Sequence, residues 1–149
     1  MRVAVFVLAL FGCFATSSRV QCQGFKGVAE IKFVADLNDE AKSLGFTKQG
    51  LADEMGVALK RELPELKFNK AADSSLYISI GVMQSDGCEA AVVYISFRRT
   101  VRVADQSVYA ELWHSETLLM SASGMDERVR KSVDKTITSV AAAFRRDNR

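Results

Sequence analysis

Alternating apolar and polar residues mark the centre of the chain as a β-hairpin. Two alternating runs between Leu76 and Phe97 flank Asp86-Gly87, a dipeptide typical of two-residue hairpin turns. A turn centred on this dipeptide places four apolar pairs on one face, and a one-residue slip would move one strand's apolar set to the other face. The predicted pairs are Val82 with Ala91, Ile80 with Val93, Ile78 with Ile95, and Leu76 with Phe97.

The alternation continues beyond the hairpin and predicts one more strand, from Val108 to about residue 120. A turn at Asp105-Gln106 would pair this strand with the preceding one. The same register would then place Glu116 opposite Ile95 on the apolar face, where a carboxylate is costly to bury. We therefore predict a β-bulge or a strand end between His114 and Glu116.

Two segments have the period of an amphipathic helix. The first begins after Thr47, a good N-cap residue with Phe46 before it as a hydrophobic staple, and ends before Pro64. The second follows Gly124 and runs almost to the end of the chain. The apolar stripe of the first helix is Leu51, Met55, Ala58, Leu59 and Leu63, and that of the second is Met125, Val129, Val133, Ile137, Val140 and Phe144.

The segment before the first helix predicts another strand. Residues 28–37 alternate, with Ile31, Phe33 and Leu37 on the apolar side. We expect Gly24–Gly27 to be a flexible lead-in. We also expect one helical turn at residues 41–45 and a short extended piece at residues 66–68.

These elements predict an α+β fold in the order β-α-β-β-β-α. An antiparallel β-meander of three to four strands, with its two helices on one face, makes a two-layer sandwich. In outline this arrangement resembles small exported bacterial proteins such as the lipopolysaccharide-assembly lipoprotein and the amino-terminal domain of the Tol-Pal translocation protein. The resemblance is one of architecture, so it implies no functional residues.

The first 22 residues are predicted to be a signal peptide that precedes a single domain at residues 23–149. A short positive start at Arg2 is followed by an apolar run of about a dozen residues and then by small residues. The run is shorter than the ~20 apolar residues that span a bilayer. The alternative is a buried first helix, but no polar pattern marks one side of the run. We therefore expect an exported protein, periplasmic or extracellular.

Two cleavage sites fit the small-residue rule, one after Ser17 and one after Cys22. The second is favoured because the domain's own pattern begins near Gly24. A lipid anchor at Cys13 is a third alternative, since the preceding residues resemble a lipoprotein signal box. Phe11 fits that box poorly because a small residue is required there.

Charge and composition exclude some classes of partner. The chain has 20 basic and 18 acidic side chains. Arg2 and Arg19 lie in the predicted signal peptide, so the remaining domain is balanced in charge. A nucleic-acid partner is therefore not expected. Without a cluster of cysteine and histidine at metal-ligand spacing, we expect no metal and no cofactor.

Two residues could serve a catalytic mechanism, and neither has a supporting pattern. His114 is the single imidazole and stands in a predicted strand, where an exposed or rim histidine is the simpler interpretation. Cys88 follows the hairpin turn beside Glu89, which would oppose formation of a thiolate. Cys88 is more simply a turn cysteine that could link two copies or pair with Cys22. An enzyme is therefore the third hypothesis, and we predict no catalytic residues.

The predicted binding surface is the sheet face turned away from the helices. Tyrosine, tryptophan and arginine are enriched at binding hot spots because each joins a large apolar area to a polar end. The extended register places every tyrosine, the single tryptophan and two arginines there: Tyr77, Tyr94, Arg98, Arg102, Tyr109 and Trp113. It sets Tyr109 opposite Arg102 and Trp113 opposite Arg98. The simpler interpretation is a set of cross-strand pairs on a solvated sheet, with Arg98 over Trp113 as a cation–π contact.

Two functions follow from this surface. The first is a non-catalytic binding or accessory module of the cell envelope, with a protein or glycan partner. The second is a structural homo-oligomer subunit whose sheet face is covered by a second copy. A stable dimer in light scattering would favour the second.

Overall fold

The computed structural model describes residues 24–149. The predicted signal peptide at residues 1–22, both predicted cleavage sites and Cys13 lie outside the described residues. The elements are, in chain order, β1 (Glu30–Leu37), α1 (Asp39–Ser43), α2 (Lys48–Glu62), β2 (Lys67–Phe68), β3 (Ser74–Ser85), β4 (Cys88–Val103), β5 (Gln106–Ser121) and α3 (Met125–Asp147).

The described strands form one five-stranded sheet in the order β2-β1-β3-β4-β5. The predicted α+β class is confirmed, and β3, β4 and β5 form the predicted antiparallel meander. The strand count and order differ from the prediction. β1 pairs in parallel with both β2 and β3, which makes the sheet mixed. The helical turn expected at residues 41–45 is present as a third helix, α1, and the extended piece expected at residues 66–68 is β2.

The hairpin register is confirmed at each predicted pair. Ser85 stands opposite Cys88 across the two-residue turn, and Leu76 stands opposite Phe97 at the far end. Gly87 has a φ of 77°, a left-handed conformation that glycine adopts without strain. Turn chemistry and apolar alternation thus specify the same pairing in this segment.

The core lies between one face of the sheet and the helices. The inward residues of β3 and β4 pack in a single buried cluster with the predicted stripes of α2 and α3. Thr47 caps α2 as predicted, because its hydroxyl accepts a hydrogen bond of 3.0 Å from the amide of Gly50. Pro64 follows the helix end, and all six predicted residues of the α3 stripe are buried.

At the end of β1, the side chain of Asn38 makes the hydrogen bonds that a further strand residue would make. The amide group of Asn38 donates to the carbonyl of Val82 at 2.7 Å and accepts from the Val82 amide at 3.1 Å. The same Asn38 oxygen accepts from the amide of Ala41 at 3.0 Å and so caps α1. Asn38 therefore extends the β1–β3 pairing and starts a helix at the same point.

The prediction of a flexible lead-in at Gly24–Gly27 is wrong. Phe25 is buried, and its ring stacks on that of Phe97 with the centroids 4.3 Å apart. Its carbonyl accepts a hydrogen bond of 2.9 Å from the side chain of Asn148, and its amide donates to Asp147. The segment is thus tied to the end of α3, a contact over more than 120 residues that local composition does not reveal.

Among residues 24–149, no helix combines the length and apolar character needed to cross a membrane.

Candidate binding surface on the open sheet face

The sheet face turned away from the helices, called here the open face, carries five of the six predicted site residues. On β3 and β4, Tyr77, Tyr94 and Arg98 alternate with buried core residues and therefore point outward. Arg102, near the end of β4, and Tyr109 on β5 are exposed on the same side. That these residues bind a partner stays a prediction.

The predicted position of Trp113 is wrong. Trp113 stands opposite Phe97, which is a core residue, so it faces the helices. Trp113 packs on the core cluster, and its ring centroid lies 6.4 Å from that of Phe25. The cause is a β-bulge: Phe97 pairs with Trp113 while Arg98 pairs with Glu111, which leaves Leu112 without a partner.

A β-bulge is present in β5, as the argument from Glu116 predicted, but at a different residue. It lies at Leu112 rather than between His114 and Glu116. With the extra residue, Ser115 replaces Glu116 opposite Ile95, so the carboxylate stays on the open face. The cost of burying a charged carboxylate, which led us to predict a bulge, also explains this register.

The partners predicted across β4 and β5 also change. The turn is formed by Ala104 and Asp105 rather than by Asp105-Gln106. This displaces the register by two residues, which preserves the faces of the side chains but not their partners. Tyr109 is therefore opposite Thr100 instead of Arg102.

The expected stacking of Arg98 on Trp113 does not occur. The guanidinium of Arg98 instead lies over the ring of Tyr77, 3.8 Å from its centroid.

Glu111 is the centre of a polar-aromatic cluster on the open face. Its carboxylate accepts a short hydrogen bond from the hydroxyl of Tyr94. It lies 3.5 Å from Nε of Arg98 and 3.1 Å from Nδ1 of His114. Nε of Arg98 also donates to the hydroxyl of Ser96 at 2.9 Å. The cluster links β4 to β5, and its members make many of their hydrogen bonds to one another.

The electrostatics of the cluster follow from these contacts. The hydrogen bond from Tyr94 is the main cause that lowers the pKa of Glu111 below its ordinary value, and Ser96, Arg98 and His114 act in the same direction. Burial, followed by the hydrogen bond to Glu111, raises the pKa of Tyr94. The pair is therefore held as a carboxylate and a neutral phenol at neutral pH.

Tyr109 joins the two outer strands of the meander. Its hydroxyl makes a short hydrogen bond with that of Ser75 on β3, across the intervening β4. Ser75 and Ser96 are fully buried beneath these larger side chains even though both belong to the open face. The aromatic residues thus cover a polar layer of the sheet itself.

A second part of the open face, called here the apolar patch, is far more exposed. Met83, Leu118 and Met120 are 66%, 65% and 63% exposed. They lie on two neighbouring rungs near the hairpin end of the sheet, with Ala90 and Val92 between them. The apolar patch consists of Met83, Ala90, Val92, Leu118 and Met120. This grouping makes the apolar patch a candidate interaction surface.

Sequence reasoning missed the apolar patch because it assigned the faces of β5 only as far as Trp113, before the predicted bulge. Past Leu112, one extra residue exchanges the two faces of the strand. Trp113 moves to the helices, and Leu118 and Met120 move to the open face. The sequence contained the signal for the patch, because a bulge that moves Glu116 to the open face also moves every second residue after it.

Other candidate chemistry is weakly organised. Among residues 24–149, no group of three or more histidine, cysteine, aspartate or glutamate side chains is placed to hold a metal ion. Cys88 is exposed beside the hairpin turn and has no disulfide partner among residues 24–149. Its link to a second copy or to Cys22, which lies outside the described residues, stays a prediction. His114 is exposed and pairs with Glu111, as described above.

Comparison with known proteins gives no family. No family model and no curated protein matches the chain. Among solved structures, an uncharacterized protein matches with a TM-score of 0.39 and 12% identity over 79% of this chain and 90% of that chain. A PelC dodecamer from Paraburkholderia phytofirmans matches with a TM-score of 0.48 and 10% identity over 73% of this chain and 84% of that chain.

Proposed function

We propose that this protein is a non-catalytic binding module of the cell envelope that captures a partner protein on its open sheet face. The observation that carries the proposal is the apolar patch. Three of its side chains are about two-thirds exposed, and they adjoin one another across β3, β4 and β5. Large exposed apolar side chains gathered on one face favour burial against another protein surface.

The arrangement of the aromatic residues favours a protein over a glycan. A sugar-stacking platform needs exposed rings, but Trp113 packs on the core and the ring of Tyr77 is covered by Arg98. The polar-aromatic cluster lies beside the patch, one rung along from Val92 and Leu118, and makes a polar rim. An apolar centre with a polar rim is the usual anatomy of a protein interface.

A photo-crosslinking experiment tests this proposal. A benzophenone amino acid replaces Leu118 in the full chain, expressed in its native cell, and Ser139 on the exposed side of α3 serves as the matched control position. We expect one discrete adduct from position 118 and none from 139. The substitution Met83→Glu should abolish the adduct because it places a charge in the patch. Equal labelling at both positions, or no adduct at either, would refute the proposal.

The second candidate is a homo-oligomer subunit. It is favoured by the position of β5, a 16-residue strand at the edge of the sheet that carries Leu118 and Met120. An unpaired edge beside an apolar patch is a ready surface for a second copy. An adduct of twice the monomer mass, with a stable dimer in light scattering, would identify this function instead.

Export is a separate part of the proposal and rests on the pattern of residues 1–22. Phe25 belongs to the core, so cleavage at or before residue 24 leaves the domain complete. The mature protein should start between Ser18 and Phe25, or at a lipid-modified Cys13. Intact-mass analysis of the protein expressed with its native signal measures this, and a soluble cytoplasmic product that retains Met1 would refute export.

A further inference from the structure

A groove of about 640 Å³ runs between α2 and the edge of the sheet formed by β1 and β2, on the helix side of the molecule. Its floor is apolar, since the rings of Phe33 and Phe68 lie with their centroids 5.0 Å apart and Ile31 is beside them. Its opposite wall is α2, where Gly56 and Val57 face the groove. The groove is distinct from the open face.

Two features of the sequence leave this groove unfilled by the residues that the structure describes. β2 has two residues and pairs only with Glu30 and Ile31, so no strand among residues 24–149 lies outside β1 beside Phe33. Gly56 presents no side chain at the centre of the wall, and a Cβ built there would lie 3.6 Å from the Phe33 ring. Val57 on α2 is 72% exposed, although valine is among the residues most often buried.

The lining of the groove is positively charged. It includes two lysines, Lys60 on α2 and Lys70, and neither forms an ion pair with residues 24–149. Lys32 also borders the groove, but it alternates with Ile31 and Phe33, so its side chain belongs to the open face. The ammonium of Lys60 lies 5.9 Å from the centroid of the Phe68 ring, directly above the apolar floor. The one acid in the lining, Asp53, already accepts a hydrogen bond of 2.8 Å from Gln49.

We propose that this groove binds a linear amphiphile with an anionic head group, a carboxylate or a phosphate. The alkyl chain lies on Phe33 and Phe68 beneath Val57, which removes these apolar surfaces from water. The head group pairs with the ammonium groups of Lys60 and Lys70, which form no ion pair within the described part of the chain. The volume of the groove falls within the range of about 300–1,000 Å³ that is usual for small-molecule sites.

Calorimetric titration of the full chain tests this proposal with three probes of equal chain length, each below its micellar concentration. Dodecanoate and dodecyl phosphate carry the anionic heads, and dodecyltrimethylammonium is the control with the same tail and the opposite charge. We expect saturable binding of at least one anionic probe and at least tenfold weaker binding of the cation. The stronger of the two anions identifies the head group. Equal binding of the cation, or no binding of either anion, would overturn the proposal.

Two pairs of variants locate the site. Gly56→Leu fills the groove and should reduce affinity at least tenfold, while Gly56→Ala should reduce it much less. Both replacements improve helix propensity, so α2 is retained. Lys60→Glu should also weaken binding about tenfold, whereas Lys67→Glu makes the same charge change on β2 outside the groove lining and should leave it nearly unchanged. Unaltered affinity in both Gly56→Leu and Lys60→Glu, with normal thermal transitions, would refute this location.

Discussion

Trp113 stands directly opposite Phe97 across β4 and β5, on the side of the sheet that faces the helices. One rung away, Glu111 stands opposite Arg98 on the open face. In a regular strand, residues 111 and 113 would share a face. The unpaired Leu112 separates them, so one extra residue assigns the tryptophan to the core and the glutamate to the surface.

The first prediction concerns the contribution of Trp113 to stability. Trp113→Ala should lower the free energy of unfolding by about 2 kcal/mol, less than the 3–5 kcal/mol of a fully buried aromatic residue because Trp113 is only partly buried. Tyr109→Ala, a matched change on the open face of the same strand, should cost less than about 1 kcal/mol. Chemical denaturation measures both. Equal small effects would contradict a core position for Trp113.

The second prediction concerns the bulge. Deletion of Leu112 makes Arg98–Glu111 and Phe97–Trp113 consecutive regular rungs, so every observed pair is retained. The variant should fold, with a loss of about 1–3 kcal/mol from the packing of Leu112. Trp113 is the single tryptophan, so its emission reports the result: a blue-shifted maximum like that of the parent is expected. Emission typical of a solvated tryptophan would show that the register has slipped.

The third prediction concerns acid stability. The pKa of Glu111 is lowered in the folded state, chiefly by the hydrogen bond from Tyr94, so its ionised form stabilises the fold. This contribution is present above the ordinary glutamate value of 4.5 and is lost as the pH falls through the lower folded value. Stability of the parent should therefore decline more steeply below about pH 4.5 than that of Tyr94→Phe. Identical pH profiles would show that the hydrogen bond does not set the pKa.

The fourth prediction concerns Asn38, which bonds to Val82 through both its donor and its acceptor. Asn38→Ala should cost about 2 kcal/mol, because it removes a helix cap and leaves strand groups of β3 unpaired. Asn38→Asp keeps the acceptor that caps α1 but loses the donor to Val82, so its cost should be intermediate. Thermal unfolding at neutral pH gives the order, and equal stability of Asp and Ala would contradict the role of the cap.

The parts of the fold that the sequence by itself determined are those specified by local chemistry. The Asp86-Gly87 turn and the four apolar pairs around it constrain the hairpin register independently, and both agree with the structure. The stripes of α2 and α3 and the Thr47 cap are likewise local, since helix period and capping involve residues within four positions of each other.

The candidate surface was predicted only in part. The open face and the outward position of its three tyrosines follow from alternation, and these are confirmed by the register. The face of Trp113 depends on where the bulge lies, and several positions in β5 would have satisfied the need to keep Glu116 out of the core. Leu118 and Met120 move to the open face with Glu116 at any of these positions.

The tertiary structure decided the features that depend on distant parts of the chain. β1 joins the sheet in parallel with β3, Phe25 inserts beside Phe97 and the end of α3, and the short β2 leaves a groove beside α2. None of these contacts has a local signature. Strand pairing and core insertion depend on which apolar surfaces are left to be covered once the local elements have formed, and that depends on the packing of the whole chain.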